Sequence, residues 1–333
     1  MSSTILVGGF FGDEGKGKLV SYLALNDKPK IIARGGVGPN AGHTVEYNGK
    51  KFFLRMIPSG FLNESSELLI GPGVAVDPKI FFKEVELTKT AKRVKIDKRC
   101  AIIEKHHIEA EKKSDYLSKK IGSTKSGVGA CNAERALRKV KLAQDITKLS
   151  DFITDVPLVV NEALNENQTV LIEGTQGTFL SLYHGTYPFC TSKDVCAAAI
   201  CSDVGIGPRM VGEVIVVFKA YVTRVGEGNL DGQLTHDEAV KRGWIEYGTV
   251  TGRERRVAPF DFDLAKRAIL INSATQIALT KIDIIFPECK GIRGFDELPQ
   301  RAKDFIQEIE SRTGVTVTLI GTGPSALDVI DRR

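Results

Sequence analysis

No stretch of this 333-residue chain approaches the ~18 consecutive apolar residues that a membrane-spanning helix needs. The N-terminus has no basic segment followed by an apolar one, so no secretory leader is legible. Six cysteines, at positions 100, 131, 190, 196, 201 and 289, make no Cys-x-x-Cys pair and no zinc spacing. They read as reduced thiols, mostly in the core. Internal repeats, low-complexity tracts and obvious linkers are also missing. Nor does one sign of charge dominate: 46 Lys and Arg against 41 Asp and Glu leave +5. That balance suits phosphorylated small substrates and is too weak to argue for nucleic acid. These absences point to a cytoplasmic globular protein with neither membrane nor nucleic acid as partner. The length is ample for a real core, and a single α/β domain over residues 1–333 is the simplest reading.

Glycine, by contrast, is abundant and clustered. Thr4–Val7 is a short β-branched and apolar run that predicts a buried strand. Gly8, Gly9, Gly12, Gly15 and Gly17 follow, and Leu19–Leu25 can open a helix. Strand, glycine-rich turn and helix N-terminus together make an anion site, with Lys16 and Lys18 adding charge. Gly12 to Lys18 satisfies the phosphate-loop spacing G-x-x-x-x-G-K, but Leu19 stands where Ser or Thr binds magnesium. The loop also carries Asp13, an acid that a phosphate cradle does not need. Taken alone, the stretch is also compatible with a plain βα turn bearing solvated lysines, and Asp13 with a helix cap.

Further strands are expected at Lys30–Arg34, Leu68–Ile70, Thr169–Ile172, Val214–Arg224, Gln276–Thr280 and Val315–Leu319. Helices are expected at Pro78–Leu87, Asp261–Ile271 and Leu298–Ser311. Val45–Leu54 alternates around Asn48-Gly49, a hairpin signal. Residues 104–141 are rich in lysine and arginine, as a solvated helical face is, and enclose the hydroxyl-rich loop Gly122–Gly129. Strands alternating with helices predict an α/β fold, a mainly parallel central sheet with helices on both faces. In such a sheet ligands collect where strands run into loops, and nearly every unusual block follows an expected strand. Lys281-Ile-Asp283, after an apolar strand, has the pattern of the guanine-reading N-K-x-D of GTP-binding proteins, with Thr280 in place of Asn.

The order Gly12-Asp-Glu-Gly-Lys-Gly-Lys18 resembles the signature loop of the adenylosuccinate synthetases. Asn40–Thr44, Gly174–Thr178, His184–Pro188, Thr251–Arg255, Thr280–Asp283 and Gly321–Pro324 fall in that family's order too. The resemblance runs from the first strand to the last ten residues, and the short chain looks like the compact form typical of archaea. It implies a phosphate-loop-NTPase-like fold and GTP-dependent ligation of IMP and L-aspartate through a 6-phosphoryl intermediate. Asp13 would then take the N1 proton of IMP and help hold Mg2+, with the Gly42 carbonyl as a second oxygen ligand. His43 would donate to the phosphoryl group leaving GDP, whereas His184 reads as structural.

By the same resemblance, Gly12, Gly15, Lys16, Gly17, Lys18, Arg255, Lys281, Asp283, Gly321, Thr322 and Gly323 would bind GTP. Asp13, Lys16, Asn40, Thr124, Arg138, Gln176, Thr191, Val225 and Arg253 would bind IMP, Arg138 from the neighbouring subunit of a homodimer. Thr251 and Arg253 would bind aspartate, the arginine through its bidentate fork. Glu254 and Val250 depart from the family's usual loop and leave its contacts open. Two other readings fit parts of the pattern. One is the phage-type relative that joins aspartate to dGMP, which generally has a smaller residue in place of Asp13. The other is a GTP-binding switch, which leaves Asn40–Thr44 and Gly174–Thr178 idle.

Overall fold

The computed structural model describes residues 3–248 and 252–333; Thr251, expected at the aspartate site, lies outside them. Ten strands among these residues form one sheet. In chain order they are β1 (Ser3–Gly8), β2 (Ile31–Arg34), β3 (Glu67–Ile70), β4 (Val94–Asp97), β5 (Ile153–Thr154), β6 (Val170–Glu173), β7 (Glu213–Lys219), β8 (Gln276–Thr280), β9 (Val317–Gly321) and β10 (Val329–Asp331). Their order across the sheet is β10-β9-β8-β7-β1-β6-β2-β3-β4-β5. Nine strands run parallel and only β10 is antiparallel, against β9.

Parallel strands buried on both faces need apolar side chains in both directions, and the β-branched runs supply them. Ile5 and Val7 pack on one face with helices Val156–Asn165, Ala197–Val204, Phe262–Asn272 and Gln300–Thr313. Leu6, between them, packs on the other face with Leu19, Val20 and Leu23 of α1 (Lys16–Asp27). From β2 to β5 the chain winds outward on one side of β1, and from β7 to β9 on the other. That reversal beside β1 opens a crevice beyond the carboxyl ends of the strands.

Several expectations shift. Helix α1 begins at Lys16 and not at Leu19, because Gly15 ends the loop with φ +88°, a left-handed conformation that glycine adopts without strain. Asp13 therefore caps nothing. The run Val214–Arg224 does not stay in one sheet: β7 ends at Lys219, and Val222–Arg224 pairs antiparallel with Arg256–Ala258. Strand β10 was not expected, since three residues carry no readable period. The hairpin is as expected, His43–Tyr47 against Lys50–Leu54, with Asn48 and Gly49 at φ +49° and +74° in the turn. Five of the six free cysteines are buried and Cys190 is partly so.

Candidate active site

A cavity of about 740 Å³ fills the crevice. Residues at or just beyond the ends of β1, β2, β6, β7, β8 and β9 line it: Gly12–Lys18 without Glu14, Asn40–Thr44, Gln176, Arg224 and Val225, Thr280 and Lys281, and Gly323 with Pro324.

The loop after β1 is held by an acid that lies within the motif. Glu14, fully buried, accepts from the backbone N–H of Phe10 (3.1 Å) and Gly12 (2.8 Å) and from Lys16 Nζ (2.8 Å). Lys16 also donates to the Gln176 carbonyl, tying the loop to β6. Thr280 Oγ1 donates to the Glu14 carbonyl at 2.6 Å, tying it to β8. Lys18 donates to the carbonyls of Gly323 (2.5 Å) and Asp328 (2.7 Å), and burial pulls its amine down to about 8. Asp13 stands at the cavity with φ +61° and pairs with Arg255 Nη2 at 3.0 Å.

His43 begins the hairpin and packs on Gly17, where an added Cβ would lie 2.9 Å from the His43 Cβ. Glycine there lets the imidazole lie against α1. Its Nδ1 meets the Glu173 carboxylate, with Ser59 Oγ at 3.3 Å and Arg34 Nη1 at 3.4 Å. Burial opposes the Glu173 charge, but His43, Arg34 and Ser59 outweigh it and hold the carboxyl down at about 2. Burial also lowers the His43 pKa. The pair is best described as a carboxylate accepting from a neutral imidazole, because Arg34 and the Ser59 N–H (2.7 Å) stabilise Glu173 whatever the state of His43. Nδ1 is thus engaged and Nε2 is the nitrogen left for a ligand.

Buried polar atoms without a protein partner are candidate ligand contacts, since leaving them unsatisfied costs roughly 1–3 kcal/mol each. Among the described residues they are Asn40 Oδ1, Gln176 Oε1 and Asp283 Oδ1, and the Nε atoms of Arg34, Arg224, Arg255 and Arg256. Asn40 keeps one bond, from Nδ2 to Thr191 Oγ1 at 3.3 Å. Burial raises the Asp283 pKa, and a donor pair on a bound base would reverse that. Two amides with bare carbonyls line the cavity, and the bare carboxylate of Asp283 lies two residues beyond its lining residue Lys281.

The whole-chain comparisons agree with this geometry. The family model described as adenylosuccinate synthetase matches residues 5–149 and 140–290. The adenylosuccinate synthetase of Archaeoglobus fulgidus is 55% identical over 333 residues, covering 100% of this chain and 99% of that one. That of Methanosphaera stadtmanae is 54% identical over 336 residues, covering 100% and 98%. The chain belongs to the adenylosuccinate synthetase family. Among solved structures, a fully ligated adenylosuccinate synthetase from Plasmodium falciparum superposes with TM-score 0.91 at 27% identity, covering 100% of both chains. A cyanophage S-2L succinoaminodeoxyadenylate synthetase bound to dGMP and dATP reaches 0.79 at 26% identity, covering 99% and 95%. Family and archaeal relatives make this a carbon–nitrogen ligase of AMP biosynthesis and disfavour both the dGMP-using and the switch readings.

Most residues expected from the adenylosuccinate synthetase resemblance meet at the cavity: Asp13, Gly12, Gly15, Lys16, Gly17, Lys18, Asn40, Gly42, His43, Thr124, Gln176, Thr191, Val225, Arg253, Arg255, Lys281 and Gly323. Four do not line it. Asp283 lies in the first turn of the helix Ile282–Ile285, which follows Lys281, and Gly321 ends β9. Thr322 is fully buried and spends its hydroxyl on the Ile292 carbonyl at 2.7 Å. Arg138 is exposed at the end of helix Val128–Ala136, beside exposed Leu137. Arg253 bridges the mouth, donating to the Gly122 carbonyl at 2.6 Å.

Sequence reasoning missed Glu14, Arg34, Glu173, Lys219 and Glu246 as parts of the site. A signal existed for three of them: Arg34, Glu173 and Lys219 each end an apolar strand, Ile-Ile-Ala-Arg, Val-Leu-Ile-Glu and Val-Val-Phe-Lys. A charge closing such a run sits at the carboxyl edge of the sheet, where ligands bind.

Proposed function

We propose that the chain joins IMP to L-aspartate at the expense of GTP, acting in the cytoplasm as one α/β unit and as a homodimer. The observation that carries this reading is the set of bare acceptors: Asn40 and Gln176 line the cavity with Asp13, and Asp283 lies two residues beyond Lys281, which lines it too. A carboxylate matches the N1–H and 2-amino group of guanine together, which adenine does not offer. Amide carbonyls and an acid suit the N1–H edge of hypoxanthine.

In the first step Asp13 accepts the N1 proton, charge moves onto O6, and O6 attacks the γ-phosphorus of GTP. The proton resides on the Asp13 carboxyl and GDP leaves. The N–H groups opening α1, with Lys16 at its first position, would face the phosphates. His43 receives their charge at Nε2: an incoming anion favours the imidazolium, which Glu173 stabilises at Nδ1, so a neutral resting imidazole becomes a donor when phosphate arrives. In the second step the aspartate amine displaces phosphate at C6, with Arg253 pairing a substrate carboxylate. Thr124 and Thr191 offer hydroxyls to the IMP phosphate.

Mg2+ fits the donors present: the Asp13 carboxylate and Gly42 carbonyl are hard oxygen ligands, to be completed by phosphate oxygens. When bound it neutralises charge on the β- and γ-phosphates. Arg138 is exposed and does not line its own cavity, which supports its use by a partner's site.

The decisive assay is whether GTP consumption requires both IMP and aspartate. The reading expects no turnover when either is left out. Slow GTP hydrolysis with neither present, or a response to dGMP in place of IMP, overturns it.

A further inference from the structure

Glu246 lines the cavity and is shared by four groups. Its carboxylate accepts from Lys219 Nζ at 2.8 Å, from Tyr221 Oη and from Arg255 Nη1, and stands 3.7 Å from Lys281 Nζ. Two of these contacts are fixed: Lys219 and Tyr221 are fully buried and do not line the cavity. The other two groups do line it, and each leads to a different ligand. Arg255 spends its second amino group on Asp13, 3.0 Å away. Lys281 opens the segment that carries Asp283.

We propose that Glu246 is a positioning residue that couples occupancy of the guanine site to release of Asp13 at the IMP site. The proposal rests on the reading of Asp283 and Asp13 given above. One carboxylate cannot serve three cations at full strength. A guanine nucleotide that draws Lys281 toward itself leaves Glu246 with more of its charge for Arg255. Arg255 then shifts from Asp13 toward Glu246, and Asp13 Oδ2 is freed for the N1–H of the second nucleotide. Because Lys219 and Tyr221 hold Glu246 still, the change passes through the two cations that line the cavity and not through the fold. Coupling of this kind is reciprocal, so each ligand tightens the other by the same factor.

Calorimetric titration of the full chain with IMP, with and without a saturating non-hydrolysable GTP analogue, measures it. In the wild type the analogue is expected to tighten IMP by about 5-fold or more, the lower range of such couplings. In Glu246→Gln, which keeps an acceptor but loses the charge, the ratio is expected to fall to within about two-fold of unity. Should buried Lys219 without its partner unfold that variant, Glu246→Gln with Lys219→Met removes the stranded cation and is expected to give the same collapsed ratio. A merely structural Glu246 weakens both affinities and leaves their ratio alone. A folded variant with the wild-type ratio, or a wild type with no coupling, overturns the proposal. A wild type that binds neither ligand overturns the functional reading beneath it.

Discussion

Asp13 sits at φ +61°, in a conformation uncommon for a residue with a side chain, and the loop spends that strain on aiming a carboxylate into the cavity. Asp13→Asn keeps the shape but accepts no proton. Turnover should fall by about 10²–10⁴ with IMP still bound, measured by steady-state kinetics and equilibrium binding; near-normal turnover removes Asp13 from the role. Asp283 offers a second residue-level test. Asp283→Asn sets an amide donor against the guanine 2-amino group, while xanthine presents a carbonyl there. Use of GTP should drop roughly 10²-fold, at ~1.4 kcal/mol per decade, and use of XTP should rise. Equal loss with both nucleotides would assign Asp283 to the fold instead. Glu173 carries a pH signature. Its folded pKa of about 2 lies below the ordinary carboxylate value, so its stabilisation is present above about pH 4.5 and drains away as pH falls toward 2. Glu173→Gln should lose stability at neutral pH and show a flatter decline of Tm across that acid window. An unchanged slope would mean that the carboxylate is not preferentially charged in the native state.

At the level of the element, the loop between β1 and α1 is shaped from within. Glu14 collects two backbone N–H groups and the Lys16 amine, so the glycine-rich turn holds its form before any phosphate arrives. Glu14→Ala strands a buried ammonium and two donors. Breaking a buried pair by removing one partner costs about 3–5 kcal/mol, and urea denaturation should show a loss of that order. Glu14→Gln retains an acceptor and should lose clearly less. Comparable losses in the two variants would mean that the charge, and not the acceptor, shapes the loop. The same logic explains α1 itself, whose first turn carries Lys16, Gly17 and Lys18: Gly15 releases the backbone, Gly17 admits His43, and the lysines are oriented by carbonyls of β6 and β9 loops.

For the whole molecule, the central question is the partner. Arg138 is exposed and does not line its own cavity, which leaves it open to a neighbour's site. In a twofold dimer each site would combine Asp13 of one chain with Arg138 of the other. Mixing inactive Asp13→Ala with inactive Arg138→Leu chains should then rebuild one intact site per hybrid. Random exchange predicts recovery of roughly a quarter of wild-type activity by this symmetry count. Re-equilibrated mixtures that stay inactive would confine Arg138 to its own chain or to no role.

Local chemistry sufficed for a good deal of this molecule. Thr4–Val7, Gln276–Thr280 and the Asn48-Gly49 hairpin were legible because buried parallel strands need β-branched runs and tight turns need residues that tolerate positive φ. The loop from Gly12 to Lys18 was legible as a strand-to-helix turn, because clustered glycines free the backbone there. Tertiary structure alone decided which charges meet. Glu246 follows Trp244-Ile245 in a stretch with no period, and nothing in its neighbours announces Lys219 or Lys281 as partners. Glu173 finds His43 across 130 positions because β6 slots between β1 and β2, which no local pattern encodes. Buried polar contacts of this kind arise from strand order, and strand order is set by the packing of two faces against helices far apart in the chain. The sequence by itself determined the α/β class and the family; the fold decided which buried charges meet, because strand order brings distant residues together.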